Sequence, residues 1–295
     1  MPGRAPTGDH VHAVRNPLLA ETDLAEQASD AAARAASRAG VSIRELTDVR
    51  DLADASRLVA VVWSDDGPAK APAEFLRALA YAGNYVAGAF VDGRLAAMSV
   101  AFFGRDRGPL TLHSHITGVH PDWQGRAVGF ALKQHQRAWA LARGIEVIEW
   151  TTDPLVRRNG FFNLQKLGAE MTEYHVDFYG RMADGINVGE ESDRVVVQWS
   201  LTDPRALAAA EGSSADPRDA SEAATILGED GAVLNADGAS SVRAWVPADV
   251  IGLRGRDVAE AHRWRVALRE SFGRAIDAGF RARSMTRDGW YLLSR

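Results

Sequence analysis

LHSHITGVHPDWQGRAVG, residues 112–129, holds the most informative change of texture in the chain. An extended run ends at Val119-His120-Pro121, a glycine-containing loop follows, and a helical pattern starts near Ala127. At such a strand–loop–helix junction, successive backbone N–H groups point outward at the positive end of a helix. That arrangement suits a pyrophosphate, which gains several donors and the dipole without needing a lysine. Gly125 and Gly129 let the backbone come close to such a ligand. The same pattern also fits a tight turn into a packed helix. His113 and His115 stand two apart in the extended run, and so on one face of a strand. Imidazole titrates near neutrality, so either histidine suits proton transfer at the mouth of the loop. The pair equally suits structural hydrogen bonding. It also suits a two-histidine metal site, for which no third ligand at fitting spacing is evident, so no metal is expected.

Working outward, Val41–Leu46 reads as a strand, and Asp48–Trp63 as a helix with apolar residues Leu52, Ala55, Leu58, Val59 and Val62. Ala71–Tyr81 reads as a second helix. Tyr85–Val91 and Leu95–Phe103 read as strands joined across Asp92-Gly93, a strong hairpin signal. After the strand Leu110–Val119 come a helix over Val128–Arg143, a strand over Ile145–Thr151 and a helix over Asn159–Leu167. Val176–Tyr179 and Val195–Leu201 read as strands. The order β-α-α-β-β-β-α-β-α-β predicts an α/β fold with a mixed central sheet flanked by helices, over residues 41–203. Residues 1–40 read as a polar arm and an Ala-rich helix. Residues 204–240, rich in Ala, Gly, Ser and Asp, read as linker-like. Residues 241–295 read as a smaller C-terminal α+β unit packing on the first. In it, Asp257–Ala278 is a helix opened by a capping pair, Asp257 and Glu260, with the stripe Ala261, Trp264, Leu268, Phe272, Ile276.

Composition narrows the function classes. The 295 residues carry 34 basic and 39 acidic side chains, a formal charge of −5, which argues against a whole-protein polyanion binder and so against nucleic acid as partner. Eleven arginines face six acids in residues 241–295, a composition that also suits helices pairing their own acids. With no cysteine, disulfides, thiolate metal sites and a cysteine nucleophile are excluded together. No apolar run approaches the roughly 20 residues of a membrane span, and residues 1–20 hold no apolar leader core. A cytoplasmic protein without a membrane partner is the expectation.

The run Gln124-Gly125-Arg126-Ala127-Val128-Gly129 resembles the Q/R-x-x-G/A-x-G/A signature of the GNAT superfamily of acyl-CoA-dependent N-acyltransferases. GVHPDWQGRAVGFALKQHQRAWALARG, residues 118–144, is similar to that family's fourth strand, pyrophosphate loop and third helix, and NGFFNLQKLGA, residues 159–169, to its fourth helix and the approach to the next strand. The resemblance implies a GNAT-like mixed sheet whose co-substrate is acetyl-CoA or another short acyl-CoA such as succinyl-CoA. Amides of Gln124–Gly129 then hold the CoA pyrophosphate, the strand edge at Gly118, Val119 and His120 pairs with pantetheine, and the Val119 amide polarises the thioester. Asn159 or Asn163 contacts pantetheine. The histidine spacing is similar to that of arylalkylamine N-acetyltransferases, where two strand histidines relay the proton; His115, nearer the loop, is the preferred base over His113. Where many members place a tyrosine to protonate the thiolate, this chain has Leu164, and Tyr174 or Tyr179 are the substitutes at hand. Arg157 and Arg158 read first as a solvated helix start, and also suit a carboxylated acceptor or acyl group. The two-part layout, with DRVVVQW (193–199) and RWRVALRESFGRAIDAGF (263–280), resembles a bacterial GNAT subgroup some of whose relatives N-succinylate amino acids. The expected activity is acetyl or succinyl transfer to the primary amine of an amino acid or other small molecule, with a homodimer as a possible assembly. The competing expectation is a non-catalytic GNAT-fold module that senses acyl-CoA or mediates an interaction.

Overall fold

The computed structural model of the chain describes residues 17–63, 70–104, 108–180, 191–213 and 222–295. The arm read over residues 1–20 falls mostly outside them, and α1 spans Pro17–Ala39. There follow β1 (Ser42–Glu45), α2 (Val49–Trp63), α3 (Ala73–Tyr81), β2 (Tyr85–Val91), β3 (Arg94–Gly104) and β4 (Thr111–Val119). Next come α4 (Val128–Leu141), β5 (Val147–Thr152), α5 (Arg157–Phe161), β6 (Glu170–His175), β7 (Arg194–Ser200) and α6 (Pro204–Ala210). The C-terminal part supplies β8 (Ala224–Leu227), β9 (Ser241–Trp245), α7 (Val250–Arg256), α8 (Val258–Leu268), α9 (Arg274–Asp277), β10 (Arg281–Met285) and β11 (Trp290–Ser294).

All eleven strands belong to one mixed sheet in the order β1-β2-β3-β4-β5-β7-β6-β10-β11-β9-β8. Its pairs are antiparallel except β4–β5 and β8–β9. The C-terminal strands thus extend the first sheet edge to edge, β10 meeting β6 at Ala282↔Met171. Alternation along β2–β4 sends side chains to two faces. One face receives α2 and α3 around Leu52, Leu58, Leu76, Val86 and Ile116. The other receives α4, itself covered by α1, and its apolar core runs on without interruption through Val197, Met171, Ala282 and Tyr291 into the layer of Trp264, Leu268 and Phe272.

The expected stripe Ala261, Trp264, Leu268, Phe272, Ile276 is buried, and the Asp257 carboxylate accepts from Glu260 N at 2.9 Å. That helix widens to a π turn over Arg269–Gly273, where Ser271 Oγ donates back to Ala267 O, a bond that competes with the α ladder. Two expectations are corrected. Val176–Tyr179 is a turn, not a strand: β6 pairs with β7 only up to His175↔Arg194. Beyond it Asp177 sits at φ 47: its N–H donates to Asp193 Oδ1 at 3.1 Å, its carboxylate accepts from Ser192 N at 3.0 Å, and Tyr179 N donates to Ser192 Oγ at 2.8 Å. The composition of residues 204–240 also hides two elements. Asp203 caps α6 through Arg205 N at 2.7 Å, burying Ala206, Ala209 and Ala210, and Ala224–Leu227 joins the sheet as β8. Residues 214–221 of the linker-like stretch lie outside the described residues. Among the described residues no helix is long and apolar enough to cross a membrane.

Gly160 on α5 is where the middle of the chain presses on the C-terminal hairpin. A Cβ there would stand 2.8 Å from Met285 Sδ and Tyr291 Cζ, while the Tyr291 hydroxyl donates to Pro154 O at 2.8 Å. Gly160→Ala is expected to lower stability by about 1–3 kcal/mol through overpacking. The loss should shrink in a Tyr291→Phe background, which removes the hydroxyl it meets. A denaturant double-mutant cycle checks this; strict additivity would mean the two positions do not press on each other.

Candidate active site

The site is made by two strands that part. β4 and β5 pair in parallel only at Leu112↔Ile148 and His113↔Glu149. On its other side β4 carries a bulge: Ser114 faces Ala101 and Ile116 faces Val100, which leaves His115 without a partner on β3. A bulge bends its strand and increases the local twist. Beyond His113 the two strands diverge into a cleft of about 980 Å³. Ser114, His115, Thr117, Gly118 and Val119 line it from β4, and Trp150, Thr151, Thr152 and Asp153 from β5 and its end.

The divergence leaves one edge of β4 open. His120 N donates to Ala96 O at 2.9 Å, so with the register Ala97↔Val119 and Ser99↔Thr117 the N–H groups of Val119 and Thr117 point the other way, to the cleft. Val119 O, on the same edge, accepts from Gln124 Nε2 at 3.1 Å, which ties the loop to the strand. After a 3₁₀ turn at Pro121–Trp123 the loop bends through Gly125 at φ 78 and Ala127 at φ 59, both left-handed, before α4 starts at Val128. The first turn of α4 then aims its amides, which have no carbonyl one turn back, at the cleft mouth. Gly129 permits the approach, since a Cβ there would already touch Val119 Cγ2 at 3.4 Å.

Of the residues read from the sequence, His115, Gly118, Val119, Gln124, Gly125, Ala127, Val128, Gly129, Asn159 and Asn163 line the cleft. Asn159 and Asn163 lie one turn apart, from α5 into the π turn Phe162–Lys166 that continues it. His113, His120 and Arg126 are not on the lining. The His113 ring lies 6.0 Å from that of His115, with Phe102 packed on both. Burial holds both imidazoles below their ordinary pKa, aided at His113 by the charges of His115 and Lys133, so both are neutral at pH 7. The His120 ring accepts from Asp122 N at 3.2 Å and caps the 3₁₀ turn. Leu164 is buried in the core. No tyrosine lines the cleft among the described residues. Tyr174 donates to Asp193 at 2.7 Å, and Tyr179 shares a hydrogen bond with Thr151. Arg157 turns away to donate to Val246 O at 3.1 Å, whereas Arg158 lines the cleft. Among the described residues, no group of three His, Asp or Glu side chains gathers in a way that could hold a metal ion.

Two features escaped the sequence reading. Asp153, just past β5, receives Arg265 at 2.7 and 2.8 Å and Arg254 at 2.6 Å, a buried clamp from α8 and α7. Burial pushes the Asp153 carboxyl up, but Arg265, Arg254 and Arg194 outweigh it and hold the group well below the carboxylate range. The second is Lys133 of α4, 4% exposed, whose Nζ donates to Gln136 Oε1 at 2.7 Å and Ser114 Oγ at 3.2 Å, 3.9 Å above the Trp150 ring. Burial brings its pKa down from 10.5 to about 7. A lysine inside an amphipathic helix pattern reads as surface from sequence alone, and partners 112 residues away in sequence, as for Asp153 and Arg265, leave no local signal.

Asp153→Ala should cost about 3–5 kcal/mol, because it removes the buried carboxylate that the Arg254 and Arg265 guanidinium groups share. Since folding depresses this carboxyl's pKa, its contribution is full above the unfolded value near 4 and is lost as pH falls below it. Urea midpoints of the variant and the parent at pH 7 and pH 3 check both statements; an unchanged gap between them would refute the second. For Lys133 the sign is reversed. Its folded pKa lies below the unfolded one, so burial is most costly below pH about 7 and the cost fades as pH rises toward 10.5. Lys133→Met should therefore raise the melting temperature more at pH 6 than at pH 10, read by scanning calorimetry.

Residues 47–168 match the model of the acetyltransferase (GNAT) family. A search of curated proteins gives no match. Among solved structures, a GNAT acetyltransferase from Streptococcus pneumoniae aligns over 54% of this chain and 98% of its own, at 13% identity and a TM-score of 0.44. The ribosomal-protein-S18-alanine N-acetyltransferase of Escherichia coli aligns over 56% and 97%, at 15% identity and a TM-score of 0.42. Arabidopsis thaliana Naa50, in complex with the bisubstrate analogue CoA-Ac-MVNAL, aligns over 54% and 97%, at 16% identity and a TM-score of 0.39. Residues 47–168 are thus a GNAT acetyltransferase domain within the chain.

Proposed function

We propose that the enzyme transfers an acetyl or succinyl group from CoA to the primary amine of an amino acid or another small molecule, by direct attack in a ternary complex. The observation that carries this reading is continuity. One cavity runs from the amide cradle at Gln124–Gly129, along the open edge of β4, to His115. The cradle suits the CoA pyrophosphate, and pantetheine laid along β4 meets the cleft-facing amides of Val119 and Thr117. Donors fixed at the thioester carbonyl stabilise the oxyanion that forms as the amine attacks. The Val119 amide, nearest the loop, is the assigned donor, and Thr117 supplies a deeper one. Asn159 and Asn163 face the same arm from α5.

The acceptor arrives as an ammonium and must lose a proton first. His115 is the base, neutral because burial lowers its pKa, with His113 behind it as the next member of a relay. A carboxylate on acceptor or acyl group is supported by the lining, where Arg38, Arg158 and Lys166 stand with a single acid, Asp153, itself held by Arg254 and Arg265.

Calorimetric titration with CoA, acetyl-CoA and succinyl-CoA tests the donor. Binding of all three, with a preference between the acyl forms, is expected; no heat with any of them sinks the reading. With the donor chosen and an amino-acid panel as acceptors, His115→Ala should cut turnover about 10²–10⁴-fold while acyl-CoA affinity holds. Parallel loss of both would make His115 structural.

A further inference from the structure

A proton problem is left after His115 has acted. Once the neutral amine attacks, its nitrogen holds a second proton that must go, and the departing thiolate needs one. The point where β4 and β5 part is also where the cleft ends. Ser114 and Trp150 are the first residues past the last paired ones, His113 and Glu149. Lys133 Nζ bridges them, bonded to Ser114 Oγ at 3.2 Å and seated 3.9 Å over the Trp150 ring, on the lining of the cavity. A chain extended from the cradle along the open edge of β4 passes Val119 and then Thr117, and its far end points at this apex.

We infer that Lys133 carries the proton from the attacking nitrogen to the departing thiolate. The inference rests on the acyl-CoA reading above. As the N–C bond forms, nitrogen becomes strongly acidic and gives one of its two protons to the unprotonated amine of Lys133, directly or through the Ser114 hydroxyl, keeping the other as the amide N–H. The C–S bond breaks, the thiolate takes a proton from the Lys133 ammonium, and the lysine is restored. No further reactant is needed. Gln136 Oε1 fixes Nζ in place, and Gln136 Nε2 in turn donates to Ser99 Oγ at 3.3 Å. With a pKa near 7, Lys133 is a stronger acid than a thiol at about 8.5, so the second transfer runs downhill. The other titratable groups around the cleft are Arg38, His115, Asp153, Arg158, Lys166 and Arg194, with His113 off the lining. Burial alone sets the value of Lys133.

The chain has three lysines, Lys70, Lys133 and Lys166, so a protein labelled with ¹³C at the lysine ε carbons gives a spectrum simple enough to titrate. Lys133→Gln assigns the resonance; should that variant not fold, Lys70→Arg and Lys166→Arg assign it by elimination. Lys133 should titrate near neutrality. Saturating CoA should give the same resonance a second inflection at higher pH, as the neighbouring thiol ionises. Desulfo-CoA, which keeps everything except the sulfur, should leave the titration where it is. Equal responses to the two ligands, or a titration at the ordinary lysine value, overturn the inference. If calorimetry shows that CoA does not bind at all, the acyl-CoA reading falls and takes this one with it, so the two failures are told apart.

Discussion

The structure turns on a parallel pairing that stops early. Two register pairs hold β4 to β5, and after them the strands diverge although both continue. A sheet interrupted this way would be split by a row of unmet amides, which is costly unless water or a ligand meets them. Here the break is bounded on both sides. β4 keeps its ladder to β3 across the bulge, and β5 keeps six register pairs with β7 from Val147↔Ser200 to Thr152↔Val195. The cleft is therefore an opening inside a rigid sheet, and the unsatisfied edge of β4 is a set of preorganised donors.

What holds the far wall of the cleft is the C-terminal quarter of the chain. β10 and β11 prolong the sheet, and α7 and α8 reach back over it to hold Asp153 at the end of β5. Nearby, Arg269 of the π turn holds Asp193, the residue before β7, at 2.8 Å. Two carboxylates at the ends of adjacent strands are thus gripped by arginines of one helical layer. The arginine excess of residues 241–295, which as composition alone suits helices that pair their own acids, is in good part a set of ties to the acetyltransferase half.

Legibility in the sequence followed the range of the interaction. The hairpin at Asp92-Gly93, the strand–loop–helix at 112–129 and the stripe of α8 are set by neighbours in sequence, and each is in the structure. So is the place of His115, because period-two alternation and a following glycine loop are local. The bulge that separates His115 from its partners was not readable, since it depends on the register between β3 and β4. The turn at Val176–Tyr179 reads as a strand because β propensity there loses to hydrogen bonds that its amides donate to Ser192 and Asp193, on the far side of the β6–β7 connection. α6 was hidden by an alanine-rich composition that reads as flexible until its small face is seen buried.

Two buried cations, Arg265 behind the end of β5 and Lys133 on the cleft lining, show how residue type follows from surroundings. A guanidinium keeps its charge at any ordinary pH, so burying one requires a fixed anion, and Arg265, at 1% exposure, has Asp153. An ammonium has another way out, since it can lose its proton. Lys133 donates to neutral oxygens of Ser114 and Gln136 and lies over an aromatic face, surroundings that tolerate the charge without demanding it. An arginine in that place would be a permanent positive end to the cleft. A leucine would close the apex with no group able to hold or release a proton. Lysine alone leaves the apex able to change charge during a cycle, and it stands where the open edge of β4 begins.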